Sequence, residues 1–257
     1  ETVLGVLKGD KSMRKVLRSN KKSKVFFFFT DHGAPGLLCM STGHEFSKNH
    51  TKKMLFADEL HDAFRYMYSK QMYREMTVYV GACESGSMFE GILEDNLNIY
   101  AVSSTNSHES GWGTYCYPND RVNGKSIGSC LGDLFSVSWM ENTDTANLQT
   151  TTLQDQYQVV QTETNRSHVL QWGQTKDITN EPIAEFQASG SSSDYPPPAL
   201  LESSAVVPNS SRRQALVQTH NSSSSSSSSS EMILSACEGD ANDKDHNELV
   251  KLRNRYA

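Results

Sequence analysis

Several features are scarce in this chain, and each scarcity narrows what it can be. Long apolar runs are missing from its 257 residues, and no stretch approaches the roughly 18 residues of a membrane span. Concentrated positive charge is missing too. The net charge is −6 with a pI near 5.8, and the densest cationic run, Arg14 to Lys24, is broken by polar residues. Nucleic acid and an anionic membrane surface are therefore disfavoured as partners. Cysteine is sparse: five residues, Cys39, Cys83, Cys116, Cys130 and Cys237, an odd set that leaves at least one thiol unpaired. Cys116 and Cys130 flank a loop rich in Pro, Asn, Gly and Ser. That loop is either a disulfide-closed hairpin or carries two unpaired cysteines. The chain opens on Glu1 rather than methionine, with no signal peptide before a helix-like segment, and so reads as a fragment.

Against this background two apolar runs stand out. Thr77-Val78-Tyr79-Val80 leads into Gly81-Ala82-Cys83-Glu84-Ser85-Gly86-Ser87, a β-prone run ending in a small-residue turn. A lone strand-end cysteine is more often buried and inert than reactive. Val25-Phe26-Phe27-Phe28-Phe29-Thr30-Asp31-His32-Gly33 reverses that reading. Both runs repeat one design, in which a buried strand ends in a chemically useful side chain close to glycine. The 51 residues from His32 to Cys83 allow one crossover helix and a returning parallel strand. Adjacent parallel strands would bring His32 and Cys83 to the same sheet edge, where open α/β sheets bind ligands. Cysteine proteases of the caspase type also place the histidine about fifty residues before the nucleophile. Cys83 is thus the candidate nucleophile and His32 the candidate general base. No His, Cys or Asp pair at ligand spacing recurs near His32, so no metal and no cofactor is expected. Asp31 and Glu84 neighbour the pair and are expected to hold loop geometry or line the cleft.

Elsewhere, residues 1–20 read as one or two short helices, Val25 to Phe29 as a central parallel strand, and Leu37 to Met40 as a short strand. Leu60, Phe64, Met67 and Tyr68 form the apolar stripe of a helix over Ala57 to Tyr68, with His61 beside it at the surface. Strands are predicted at Met76 to Val80, Asn98 to Ser103 and His168 to Trp172, with a helix over Leu148 to Thr164. After Gly190 the composition shifts to Ser, Pro and an unbroken serine tract, Ser222 to Ser230, which cannot bury enough apolar area to stay ordered. The domains expected are 1–190 (α/β, mostly parallel sheet with flanking helices), 191–230 (disordered linker) and 231–257 (short tail). Sequons at Asn49, Asn165, Asn209 and Asn221 fit a secretory-route protein.

Phe29-Thr30-Asp31-His32-Gly33 together with Gly81-Ala82-Cys83-Glu84-Ser85-Gly86-Ser87 resembles the legumains, the asparaginyl endopeptidases or vacuolar processing enzymes. Glu90 to Ala101, Trp112-Gly113-Thr114-Tyr115-Cys116, Cys130-Leu131-Gly132-Asp133 and Ser167 to Gly173 match in order, so the resemblance covers about Glu1 to Gly190. It implies a caspase-like fold and a cysteine endopeptidase that cuts peptide or protein substrates after asparagine in an acidic lysosome or vacuole. It also implies an oxyanion hole from the N–H groups of Gly33 and Cys83. A side chain at Gly33 is expected to obstruct the substrate. The pocket it implies contains Asp133, Ser110 and the position of Gly81. The family usually has glutamate where this chain has Gly81. Family members also carry a further strand–helix region before the position of Glu1, with an asparagine that orients the histidine and basic pocket residues, and a helical prodomain longer than this tail. Self-processing after Asn209 or Asn221 is a further expectation. The alternatives are a transamidase like the one that attaches GPI anchors, and an inactive truncated copy.

Overall fold

The computed structural model describes residues 3–40 and 54–187. The predicted linker and tail, His44, Asn49, Asn209, Asn221 and Cys237 lie outside the described residues. In chain order the first elements are α1 (Val3–Leu7), β1 (Lys24–Thr30), β2 (Gly33–Ala34), β3 (Leu37–Cys39), β4 (Met54–Phe56) and α2 (Ala57–Ser69). Then come β5 (Glu75–Gly81), a short 3-10 turn (Ser85–Met88), β6 (Ile99–Ser103), β7 (Gly113–Thr114), β8 (Arg121–Val122) and β9 (Lys125–Ser126). The last are β10 (Gly132–Asp133), α3 (Leu134–Thr145), α4 (Leu153–Glu163), β11 (Leu170–Gly173), a 3-10 turn (Ile178–Asn180) and α5 (Ala184–Gln187).

The main sheet runs in the order β1-β5-β6-β11. β1 and β6 both pair parallel to β5, and β11 pairs antiparallel to β6. This is the mixed, mostly parallel α/β architecture that the alternating strands and helices imply. Strand periodicity sorts side chains to the two faces. Met76, Val78 and Val80 join Leu60, Phe64 and Met67 of α2 in one core. Tyr79, Tyr100 and Val102 join Phe135, Trp139, Leu153 and Val160 of α3 and α4 in the other. The strands buried on both faces are β5 and β6, whereas β1 is an edge among the described residues, with Phe26 to Phe29 only partly buried. Four consecutive phenylalanines therefore marked a strand but did not mark its lateral position.

Residues 1–20 contain one helix, α1, among the described residues. α4 begins at Leu153 rather than Leu148, because Thr152 and Asp155 form a reciprocal capping box there, which supplies the first turn with partners for its orphan N–H groups. In α2 the buried stripe includes His61, fully buried, while Tyr68 is 41% exposed. The surface assignment of His61 is thus corrected. Its Nε2 lies 2.7 Å from the Met88 carbonyl oxygen, its ring packs edge-on to Phe64 and Phe89, and burial lowers its pKa. No helix among the described residues is long and apolar enough to cross a membrane.

Candidate active site

The site is built at the carboxyl ends of β1 and β5. Their register pairs Thr30 with Gly81, and the ladder continues as the Asp31 N–H donates to the Gly81 carbonyl at 3.2 Å. His32 and Cys83 thus leave neighbouring strands at the same level. Both line one cleft of about 610 Å³, with Thr30, Asp31, Gly81 and Asp133 also on its wall. This is the strand-end location that open α/β sheets use for ligands.

Cys83 is partly buried and alone among the described residues carries a free thiol. Cys116 and Cys130 form a disulfide, and Cys39, buried in β3, is disulfide-bonded as well. The turn that presents Cys83 rests on buried hydroxyls at the end of β6. Ser104 Oγ accepts from the Ala82 N–H, and Thr105 Oγ1 accepts from the Ser85 N–H. Ser85 Oγ lies within 3.2 Å of both Ser104 Oγ and Thr105 Oγ1. Trp172 Nε1 donates to Ser103 Oγ, which in turn donates to the Thr105 carbonyl. Such a network fixes one geometry because each unmade bond in a dry interior is costly. Directly after the cysteine, Glu84 takes a left-handed conformation at φ 54°, a region that non-glycine residues occupy at a cost. Its Oε2 is buried without a partner. Burial raises its pKa, with His108 acting in the opposite direction.

His32 is held by its backbone. Its N–H donates to Asp31 Oδ1 at 2.7 Å, and its carbonyl accepts from the Cys39 N–H at 2.9 Å, while the residue is exposed. The next residue, Gly33, lies against the cysteine turn. A Cβ there would stand 2.6 Å from the Cys83 carbonyl oxygen and 2.9 Å from Ala82 Cβ. The glycine is required because two backbone segments touch. This clash is a separate reason for glycine from the expected obstruction of a substrate. A second tie joins the two turns: Ser87 Oγ donates to the Glu84 carbonyl and accepts from the Gly36 N–H.

Asp133 lines the same cleft. One carboxylate oxygen caps α3 by accepting from the Ser136 N–H, and the other accepts from Thr30 Oγ1, each at 2.8 Å. A carboxylate oxygen has two lone-pair directions, so both retain acceptor capacity. Gly81 lies directly opposite: a Cβ there would be 3.3 Å from Asp133 Oδ1 and from the buried, unpartnered Ser136 Oγ. Ser110 is partly buried in the neighbouring loop, but its successors Gly111, Trp112 and Gly113 line the cleft. Of the candidates, then, His32, Cys83, Gly81, Asp133 and Cys130 line one cavity, and Gly33 and Ser110 are chain neighbours of lining residues.

Residues that were not given a role from the sequence also line the site. Thr30 bonds Asp133, and Ser104, Trp112, Thr164 and Ser167 complete the wall. The Arg166 guanidinium stacks 3.7 Å from the Trp112 ring, a cation–π contact at the rim. Of these, Thr30, Trp112 and Ser167 lay within the segments that resemble the legumains, and Ser104 directly followed a predicted strand. Among the described residues no cluster of three or more His, Cys, Asp and Glu could hold a metal ion.

Comparison with known proteins gives the family. The family model described as Peptidase C13 matches residues 1–189. The vacuolar-processing enzyme delta-isozyme of Arabidopsis thaliana is 42% identical over 167 residues, 63% of this chain and 34% of that protein. Legumain of Canavalia ensiformis is 38% identical over 195 residues, 71% of this chain and 39% of that protein. Legumain of Mus musculus is 39% identical over 193 residues, 73% and 40% respectively. The chain therefore spans about a third to two fifths of the length of these relatives.

Proposed function

This chain belongs to the peptidase C13 family, and on that premise we propose that it is the catalytic part of a cysteine endopeptidase cutting after asparagine. The observation that carries the reading is the shared cleft of His32 and Cys83 at the ends of two adjacent parallel strands. His32 takes the thiol proton and the Cys83 sulfur attacks the scissile carbonyl. The tetrahedral oxyanion is received by the N–H groups of Gly33 and Cys83. The protonated His32 then gives its proton to the leaving amine as the C–N bond breaks, leaving a thioester. Water, deprotonated by His32, attacks the thioester and releases the acid and the thiol.

Asparagine at the cleaved position offers a carbonyl acceptor and an NH₂ donor. Asp133, with lone pairs to spare, accepts from the NH₂, with Ser110 beside the same wall. An aspartate side chain has nothing to donate and meets Asp133 as a like charge unless one of them is protonated. Asparagine is preferred near neutral pH, and aspartate is accepted on acidification. The relatives named legumain and vacuolar-processing enzyme support hydrolysis over the transamidase alternative, and support an acidic vacuole- or lysosome-like compartment. On this reading 1–190 is the catalytic domain, and the segment beyond it holds Asn209 and Asn221 as sites of self-cleavage.

The test is turnover of a fluorogenic asparaginyl peptide by the full chain at acidic and neutral pH, beside its aspartyl twin and a Cys83→Ala control. Turnover abolished by Cys83→Ala and favouring asparagine is expected. A folded chain with no turnover would make it the inactive copy instead.

A further inference from the structure

Behind the cysteine lies a second carboxylate that the proposed chemistry does not use. The loop after β6 doubles back so that the Gly111 N–H donates to Cys83 Sγ at 3.3 Å. Gly111 is pressed close: a Cβ on it would lie 3.5 Å from Cys83 N and the Ala82 carbonyl carbon. What holds this loop is Glu109. Its Oε1 accepts from the Asn106 and His168 N–H groups, both at 2.7 Å. Its Oε2 lies 2.8 Å from His168 Nδ1. A carboxylate can only accept from these groups, so the imidazole carries its hydrogen on Nδ1. The Glu109 backbone carbonyl accepts from the Glu84 N–H at 2.8 Å, which ties the same residue to the cysteine turn. One side chain thus closes the 106–109 turn, locks it to the segment entering β11, and leaves Gly111 aimed at the sulfur.

We propose that Glu109 is a positioning residue that holds the Gly111 N–H on the Cys83 sulfur and so favours its thiolate form. A hydrogen bond donated to the charged form of an acid favours that form, and the thiolate is the nucleophile. Although burial works against the Glu109 carboxylate, the Asn106 and His168 donors outweigh it and keep its pKa below the usual value. The same donors favour its ionised, accepting form. Asp31, His32 and Asp133 are the other titratable groups on the cleft, Glu84 and His108 flank the turn, and the variants below leave all of them in place. The inference rests on the protease reading for its consequence in turnover, but not for its effect on the thiol.

The experiment follows the pH dependence of Cys83 alkylation by iodoacetamide in the full chain, read by mass spectrometry of the Cys83 peptide. Glu109→Ala should move the midpoint upward by about 0.5–1 pH unit, with Glu109→Gln close to the natural chain because it keeps the carbonyl for the two backbone donors. Peptide turnover by Glu109→Ala should fall about 10-fold in kcat with little change in KM, because the loss is in the nucleophile and not in substrate contacts. If the alanine variant does not fold, Glu109→Asp carries the test, since withdrawing the carboxylate by one methylene must also raise the midpoint. A folded alanine or aspartate variant with an unchanged alkylation profile would overturn the proposal. An upward shift in a chain that hydrolyses no peptide would leave the positioning role standing and sink the protease reading alone.

Discussion

The turns that present His32 and Cys83 end neighbouring strands, yet they are held by different means. The Cys83 turn rests on side chains: Ser85, Ser103, Ser104 and Thr105, all buried, exchange hydrogen bonds with each other and with its backbone. The His32 turn is exposed at Asp31 and His32. The His32 N–H donates to the Asp31 side chain, and its carbonyl accepts from the Cys39 N–H. The turn leaves β1, which is an edge of the sheet among the described residues. A nucleophile must approach a carbonyl along one direction and gains most from a fixed frame. A base that takes and returns a proton must serve two partners, the sulfur and then the leaving amine. The difference also predicts where damage spreads. A lesion under Cys83 breaks a cooperative network, while a lesion at His32 stays local.

The largest effect should come from removing either reacting group. Cys83→Ala and His32→Ala are each expected to lower asparaginyl peptide turnover by about 1,000-fold or more, with thermal denaturation unchanged. A His32→Ala variant that keeps more than a tenth of activity would break the pairing of the two turns. Next is the hydroxyl frame. Ser104→Ala orphans the Ala82 N–H in a dry site, and urea melts should show a loss of about 1–3 kcal/mol. Asp31→Ala, at the exposed turn, should stay within about 0.5 kcal/mol. Equal losses at both sites would erase the comparison.

Asp133 sharpens it from the same cleft, because it caps α3 and is proposed to serve the pocket. Asp133→Ala should lose about 1 kcal/mol of cap stability together with the preference for asparagine. Asp133→Asn should keep most of the cap and still lose the preference, as its carboxylate is gone. Gly81→Glu brings a second carboxylate beside Asp133 Oδ1 and should widen the asparagine-to-aspartate ratio measured across pH. An unchanged ratio would remove Gly81 from the pocket.

The smallest effect concerns the two glutamates beside the cysteine. Glu84 has its pKa raised by burial, so its ionised form weakens the fold, and that penalty is relieved as pH falls through its folded value. For Glu109, burial raises the pKa but the Asn106 and His168 donors lower it further. Its stabilising share is present above the unfolded carboxylate range and is lost as pH falls through its depressed folded value. On acidification, then, the natural chain should first gain stability relative to Glu84→Gln. At lower pH it should lose its advantage over Glu109→Gln. Denaturant midpoints against pH for the three chains check the order, and the reverse order would contradict both assignments.

The sequence by itself was enough for the strands, the cysteine and histidine at two matched strand ends, the spacing that puts those strands side by side, and the family. These are local signals: runs of β-prone residues, a glycine after each functional turn, and a chain distance suited to one crossover. Tertiary structure decided the rest. The lateral place of β1 depends on what pairs with each edge, which composition does not encode, and four phenylalanines served an edge strand as well as a central one. His61 lay one position off the expected stripe, and its burial was decided by the Met88 carbonyl and the ring of Phe89, both far along the chain. Glu109 meets His168 across 59 residues, and Thr30 meets Asp133 across 103. Hydrogen bonds between distant loops leave no periodicity behind: the resemblance implied Asp133 in the pocket, but its bond to Thr30 and the bond of Glu109 to His168 came only from the folded chain.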